Sequence, residues 1–305
     1  MLGERLTGPM LAACLGLMAA GGGAALADQE RFAQPDAALQ AFVGALGTGD
    51  PARLAELFGP EHMDEILGDD PVAARADIAK VYADAERAAA LRPAGADRMV
   101  VVVGREAWPF PVPIVHDSEG WRFDAAAGAE EITNRRIGRN ELSAIEVMRA
   151  FVKAEREYAS EDRTGDGVLE YAQRIASTGD KRDGLYWPTK EGETPSPFGP
   201  FVAEAGDYLE GRQAGAPYHG YYFRVLTGQG PNAPGGAYSY VINGHMVAGF
   251  ALLAWPAAYG DTGVMSFLVG PNGVVLEADL GPDTAERARA ITAYDPDPSW
   301  QPSTD

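Results

Sequence analysis

Residues Tyr238 to Trp255 read YSYVINGHMVAGFALLAW, and this stretch decides how the second half of the chain folds. Aromatic and polar residues alternate from Tyr238 to Ile242, which is typical of a β-strand with one buried face. Asn243-Gly244 follows, and this dipeptide favours a two-residue hairpin turn because both of its residues accept positive φ angles. The pattern therefore predicts a hairpin whose second strand runs from His245 to Trp255.

Further strands are predicted on both sides of this hairpin. Gly220 to Leu226 forms the strand before it, and Val264 to Val269 and Val274 to Ala278 form two strands after it. Successive strands joined by short turns favour an antiparallel meander. The last residues, Asp295 to Asp305, are expected to form a frayed tail.

A helical connection is predicted before this sheet, in two pieces at Ala129–Arg135 and Arg139–Ser160. The second piece is long and amphipathic, so we expect one face of the meander to pack on it. Its apolar stripe consists of Leu142, Ile145, Met148, Val152 and the adjacent Phe151.

Helical spacing dominates the beginning of the first half. Apolar residues recur at that spacing from Pro35 to Phe58, with a break at Gly47 to Pro51 that predicts two helices. Asp50 is suited to cap the second helix, and Pro51 to occupy its first turn. A third helix is predicted from Pro71 to Leu91.

Strands follow these helices, so the first half is predicted to be an α+β domain, similar to nuclear-transport-factor-like or cystatin-like folds. The predicted strands are Arg98–Val103, Trp108–His116 and Gly120–Asp124, the last two forming a hairpin. We therefore expect an N-terminal α+β domain at 28–128. Residues 129–305 are expected to hold the long helix and a C-terminal antiparallel β domain.

Composition excludes several classes of protein. The 305 residues contain 25 Lys and Arg against 44 Asp and Glu, for a formal net charge of -19. An acidic surface repels phosphate backbones and anionic lipids, so nucleic-acid partners are not expected. The single cysteine, Cys14, excludes disulfides and cysteine-based sites after export. After the N-terminal segment, no stretch reaches the roughly 18 apolar residues that a membrane span needs.

The N-terminus has the pattern of a secretory signal peptide. Arg5 precedes a weakly apolar run that ends in Ala25-Leu26-Ala27, an A-x-A cleavage pattern. We expect cleavage after Ala27 and a periplasmic or secreted protein. The alternative is a lipoprotein box at Leu11 to Cys14, with Cys14 lipidated.

Several motifs along the chain carry a resemblance to a known family. They are Trp108–Pro111, Arg136–Leu142, Asp183–Trp187, Gly220–Tyr238, Phe250–Gly260 and Asp279–Thr284. Together they resemble an uncharacterised bacterial exported family, known as domain of unknown function 2950. This resemblance implies export from a Gram-negative-type cell and no established activity. The segment from Gly220 to Asp279 is also similar in pattern to pilin-like globular domains, although the long apolar N-terminal helix of pilins is missing.

An acidic loop supplies the best candidate metal site. Calcium loops of the EF-hand type place oxygen ligands at positions 1, 3, 5, 7 and 9 and a turn glycine at position 6. Gln173 stands at position 12 instead of the bidentate Glu, so calcium affinity of about 0.1–1 mM is expected, unless Glu161 supplies the missing ligand. A turn with capping acids and no metal is the alternative. The residues at the six positions are Asp162, Thr164, Asp166, Val168, Glu170 and, at the turn, Gly167.

Catalytic candidates are few. His219 lies among tyrosines, and His245 directly follows the Asn-Gly turn, so the two could meet at one end of the sheet and act in acid–base chemistry with an acid such as Asp261. Hydrogen-bonded packing residues are the alternative. A hydrolase site would require these three side chains to converge in one concave pocket.

The remaining candidate is a face for a ligand or partner. Thr227 to Gly236 is rich in glycine and proline and is predicted to be a wide surface loop that forms a binding rim. Aromatic residues concentrate nearby, and tyrosines that point outward could stack on a sugar or a peptide. Core packing of these tyrosines is the alternative. The candidate contact residues are Tyr222, Tyr240, Gln229 and Asn232.

The sequence favours an exported binding or envelope-accessory protein over an enzyme. Its expected partner is an envelope protein or polymer, with calcium as a possible stabilising ion. The competing hypothesis is a periplasmic hydrolase that acts on an envelope component through His219 and nearby carboxylates.

Overall fold

The computed structural model describes residues 29–68, 70–190, 192–204 and 216–304. The expected signal peptide and Cys14 lie outside these ranges. The described residues form two compact units that divide between Ala125 and Ala126. Their helices are α1 (Pro35–Thr48), α2 (Pro51–Phe58), α3 (Met63–Leu67), α4 (Pro71–Arg87), α5 (Ala125–Tyr158), α6 (Gly199–Glu204) and α7 (Thr284–Ala290).

The strands are short, and all of their pairings are antiparallel. The mixed α+β class, the long helix and the C-terminal antiparallel sheet predicted from the sequence are confirmed. In the first unit the strands are β1 (Ala89–Pro93), β2 (Arg98–Val103), β3 (Trp108–Pro109), β4 (Ile114–Asp117) and β5 (Gly120–Phe123). In the second they are β6 (Tyr221–Leu226), β7 (Gly228–Gln229), β8 (Tyr238–Ser239), β9 (Val241–Ile242), β10 (His245–Met246), β11 (Ala251–Pro256), β12 (Met265–Val269), β13 (Val275–Asp279) and β14 (Gln301–Pro302).

The predicted break between the first two helices is present. Gly49 ends α1 in the left-handed conformation, at φ 66°. The Asp50 side chain then accepts a hydrogen bond from the backbone N–H of Ala52, and Pro51 opens α2. These are the capping interactions that the sequence predicts at this turn.

The strands of the first unit are ordered β1-β2-β4-β5, with β3 also paired to β2. Two predicted boundaries are wrong. Helix α4 ends at Arg87 rather than Leu91, because residues 89–93 pair with the valine-rich β2, and this pairing overrides the helix propensity of alanine. The strand predicted at 108–116 is divided into β3 and β4, because Pro111 and Pro113 between them have no N–H for a ladder.

Helix α5 is one continuous helix of 34 residues, where two pieces were predicted. Its buried face packs into one core with the large sheet of the second unit, as expected. Leu142 is an exception, because it is 49% exposed. The sheet-facing position at that turn belongs to Glu141, whose Oε1 accepts hydrogen bonds from the N–H groups of Val264 and Met265.

The large sheet of the second unit has the order β14-β13-β12-β11-β6. The Asn243-Gly244 hairpin is present, but its strands β9 and β10 form a separate two-stranded ribbon. The strand predicted from His245 to Trp255 is interrupted at Gly249, which has φ 151° and lies against the ring of Tyr240. Glycine permits both the backbone angle and the close approach.

The C-terminal segment packs on this sheet, where a frayed tail was expected. Gln301 and Pro302 pair with β13 as strand β14, and Trp300 is 8% exposed. Burial of this indole and the added strand account for the difference. Within the described ranges, every helix is too short or too polar to cross a membrane.

Candidate functional site

The acidic loop after α5 folds around the side chain of Asp162. Its carboxylate accepts hydrogen bonds from the backbone N–H groups of Gly165 at 2.7 Å, Gly167 at 2.9 Å and Asp166 at 3.3 Å. These bonds, from Gly167 and Gly165 above all, hold the pKa of Asp162 below its ordinary value. Both glycines have positive φ, at 78° and 86°, so the loop needs them to curl around the carboxylate.

Two more of the predicted calcium ligands interact with each other inside this loop. The Thr164 hydroxyl donates to Asp166 Oδ2 at 2.9 Å, and the Val168 N–H donates to Asp166 Oδ1 at 3.0 Å. The carboxylates at positions 1 and 5 therefore satisfy the loop's own donors, and the hydroxyl at position 3 is one of these donors. Among the predicted ligands, Asp166 and Glu170 are the pair that converges with a third ligand-type side chain.

The Asn243-Gly244 hairpin lies directly beside this loop. Its two turn residues have φ angles of 53° and 93°, as a type I′ turn requires. The N–H of Tyr171 donates to the carbonyl of Met246 at 2.7 Å, and Gln173 Nε2 donates to the carbonyl of Gly244 at 2.7 Å. Gln173, which stands at position 12 of the calcium pattern, thus holds the hairpin.

This contact brings His245 to the acidic loop. Its Nδ1 lies 3.3 Å from Glu170 Oε2 and 3.7 Å from Asp166 Oδ2. Ligand atoms of the three residues all lie within 4.8 Å of one another. Nδ1 is shielded from solvent and makes no hydrogen bond to any described residue. Two carboxylates and an imidazole nitrogen so arranged can hold a divalent cation.

A buried carboxyl supports the cluster from helix α5. The side chain of Glu155 is fully buried, and its Oε2 accepts a hydrogen bond from the N–H of Ala172 at 2.8 Å. Burial raises the pKa of Glu155 well above its usual range. Nearby, burial together with the charge of Glu170 raises the pKa of Tyr158 to about 12. The segment from Glu170 to Ala172 is thereby attached to the end of the helix.

The catalytic candidates do not meet. Asp261 pairs with Arg136 in the first half of α5, and the neighbouring Thr262 accepts a hydrogen bond from Asn140. The ring of His219 lies 4.5 Å from that of Tyr218. His245 instead contacts the loop that follows the other end of α5. In the part of the chain that the structure describes, His219, His245 and Asp261 form no converging group of ligand-type side chains.

Two residues predicted for a ligand face belong to the interior. Tyr240 is fully buried, and its hydroxyl donates to Gln229 Oε1 at 3.2 Å. Gln229 is 8% exposed, and its Nε2 donates to the carbonyls of Pro234 and Gly236. Together these bonds hold the glycine- and proline-rich loop, whose first residues pair with β8. Neither side chain is available to a ligand at the surface.

The other two residues of that predicted face are accessible to different degrees. Asn232 is exposed, and its backbone N–H donates to Asp295 Oδ1 at 2.7 Å. Tyr222 is half-buried, and its ring packs 5.7 Å from that of Trp255. Tyr238, which is 43% exposed, is the tyrosine of this region that presents an open face.

The first unit has a surface pocket of about 360 Å³ that the sequence did not indicate. Trp108 lines it and is 45% exposed. The charged residues that line it are two arginines and two acids, so their charges cancel, and Arg87 lies 2.6 Å from Asp84. This balance selects neither anions nor cations.

Comparison with known proteins identifies a family. A family model described as "Protein of unknown function (DUF2950)" matches residues 29–303. The chain therefore belongs to this family, and the resemblance carried by its motifs is confirmed. No curated protein and no solved structure matches the chain. Similarity to pilin-like domains is not shown, and the likeness of the first unit to nuclear-transport-factor-like or cystatin-like folds stays a prediction.

Proposed function

We propose that this member of the DUF2950 family is an exported binding or envelope-accessory protein, in which a divalent cation joins the acidic loop to the hairpin. The observation that carries this proposal is the convergence of Asp166, Glu170 and His245 within 4.8 Å. Two carboxylates this close repel each other when both are ionised, and a bound cation removes that repulsion. The net charge of -19 favours the approach of cations further.

Exposed apolar side chains around the cation site support a role in binding. Leu169, which precedes Glu170, is 59% exposed. Ile242, which pairs with His245 across the hairpin, is 51% exposed, and Val247 after β10 is 39% exposed. Contiguous exposed apolar surface rimmed by polar residues is typical of contact surfaces. The partner proposed for this surface is an envelope protein or polymer.

Calcium is the ion that the order of residues in the loop favours, and outside the cytoplasm it is not kept scarce. Thermal unfolding of the purified protein in millimolar Ca²⁺ against excess chelator tests the proposal. Calcium at ten times its Kd stabilises the folded state by about 1.4 kcal/mol, which raises the Tm by about 3–5 °C.

Two asparagine variants make this experiment specific. In Asp166→Asn the calcium-dependent rise is expected to vanish. Asp180→Asn is the matched control, because it removes one exposed carboxylate outside the cluster and is expected to keep the rise. Equal Tm values for the unmodified protein with and without divalent cations would contradict the proposal.

A further inference from the structure

The ion at this site belongs, we infer, to the zinc class of transition metals, with Asp166, Glu170 and His245 as its protein ligands. This inference rests on the proposed cation site and names its ion. The sequence pattern places calcium among five ligands of the loop alone. The structure instead gathers two loop carboxylates and a nitrogen from a hairpin that lies about 75 residues further along the chain.

The distances between the three ligand atoms suit a small tetrahedral ion. Metal–ligand bonds of 2.0–2.1 Å in a tetrahedron place neighbouring ligand atoms roughly 3.4 Å apart. His245 Nδ1 already lies 3.3 Å from Glu170 Oε2 and 3.7 Å from Asp166 Oδ2. The remaining pair of ligand atoms is within 4.8 Å. Asp166, the exposed member of the set, is the side chain that would have to turn for all three atoms to reach the bonding distance.

The state of His245 Nδ1 is a separate observation that points to a metal. This nitrogen is inaccessible to solvent and makes no hydrogen bond within the described part of the chain, although two carboxylates lie within 3.7 Å. A buried polar atom without a partner is costly. A metal ion between the three groups accepts the nitrogen lone pair and satisfies both carboxylates together.

Calcium fits the observed donors poorly. Calcium takes six to eight oxygen ligands, whereas imidazole nitrogen suits zinc and its neighbours. The Asp162 carboxylate accepts three backbone N–H bonds, and Thr164 donates its hydroxyl proton to Asp166. Three protein ligands leave a fourth position of a tetrahedral ion open to water.

Titration calorimetry of the purified, tag-free protein with Zn²⁺ and with Ca²⁺ tests this inference. One Zn²⁺ is expected to bind per chain, with at least about tenfold higher affinity than Ca²⁺. His245→Gln keeps a similar size but removes the imidazole, and it is expected to weaken Zn²⁺ binding by about tenfold or more while Ca²⁺ binding changes little. His116→Gln, at an exposed histidine of the first unit, is the matched control and is expected to bind both ions normally.

Asp166→Asn supplies a second variant, with loss of Zn²⁺ binding expected. Zinc binding that is unchanged in both His245→Gln and Asp166→Asn overturns the inference. Calcium binding with no zinc binding also overturns it, but leaves the proposed function standing. Binding of neither ion contradicts both the inference and the proposed function.

Discussion

Gln173 Nε2 donates a hydrogen bond to the carbonyl of Gly244 at 2.7 Å, across 71 positions of the chain. This bond, together with that from Tyr171 N–H to the carbonyl of Met246, places the type I′ turn beside the acidic loop. His245 follows the turn directly, so its ring is positioned by these two contacts. The candidate metal cluster therefore depends on the docking of the hairpin as much as on the loop.

Gln173→Ala is expected to loosen this docking. Because the side chain is exposed, loss of its hydrogen bond should lower the free energy of unfolding by only about 0.5–1 kcal/mol. The affinity for Zn²⁺ should fall as well, since His245 is no longer held at the loop. Urea unfolding and metal titration measure the two effects. Gln40→Ala, on the exposed side of α1, is the control, and an equal loss of cation affinity there would count against the hairpin's role.

The variant Tyr240→Phe tests whether Tyr240 is a buried structural residue or a tyrosine that contacts a ligand. Removal of the hydroxyl leaves Gln229 Oε1 without its buried donor, so the free energy of unfolding should fall by about 1–3 kcal/mol. Tyr238→Phe, at the neighbouring exposed tyrosine, should change it by less than about 0.5 kcal/mol. Urea unfolding of both variants measures the difference. Similar stabilities for the two variants would show that the hydroxyl of Tyr240 is not needed inside the protein.

Glu155 predicts a specific dependence of stability on pH. Burial raises its pKa in the folded protein above the ordinary value of 4.5. The unfolded chain therefore releases this proton first as pH rises, and the contribution of Glu155 to stability, complete below pH 4.5, declines until its folded pKa is passed.

The variant Glu155→Gln removes this titration while its amide oxygen still accepts the hydrogen bond from Ala172. Its stability relative to the unmodified protein should increase steadily with pH above 4.5. Urea unfolding at a series of pH values measures this difference. Parallel stability curves for the two proteins would show that the carboxyl group of Glu155 does not titrate differently on folding.

Local signals in the sequence predicted much of the fold. The capped break at Gly49 to Pro51, the Asn243-Gly244 turn and the buried face of α5 depend on residues close together in the chain. Errors arose where pairing with another segment decides the local structure. The end of the helix predicted at Pro71–Leu91 is a strand, because β1 pairs with β2. The tail that was expected to fray is ordered, because β14 pairs with β13.

The candidate site was predicted only in part, for the same reason. The spacing of Asp162 to Glu170 identified the loop, but not which carboxylates face one another. His245 was singled out by its position after the turn and was grouped with His219 and Asp261, because a sequence does not show which distant segment a hairpin docks on. Tyr240 and Gln229 lie in a stretch rich in glycine, proline and polar residues, which is typical of a surface loop. Both side chains are nevertheless buried, and they hydrogen-bond to each other.

Amide hydrogen exchange with and without divalent cation tests the central claim most directly. If a cation joins the acidic loop to the hairpin, saturating Zn²⁺ or Ca²⁺ should slow exchange in segments 162–173 and 241–247, while β2 in the first unit exchanges at an unchanged rate. The N–H of Tyr171, which donates to Met246, should show the effect clearly. Identical exchange in both segments with cation and with excess chelator would contradict the account.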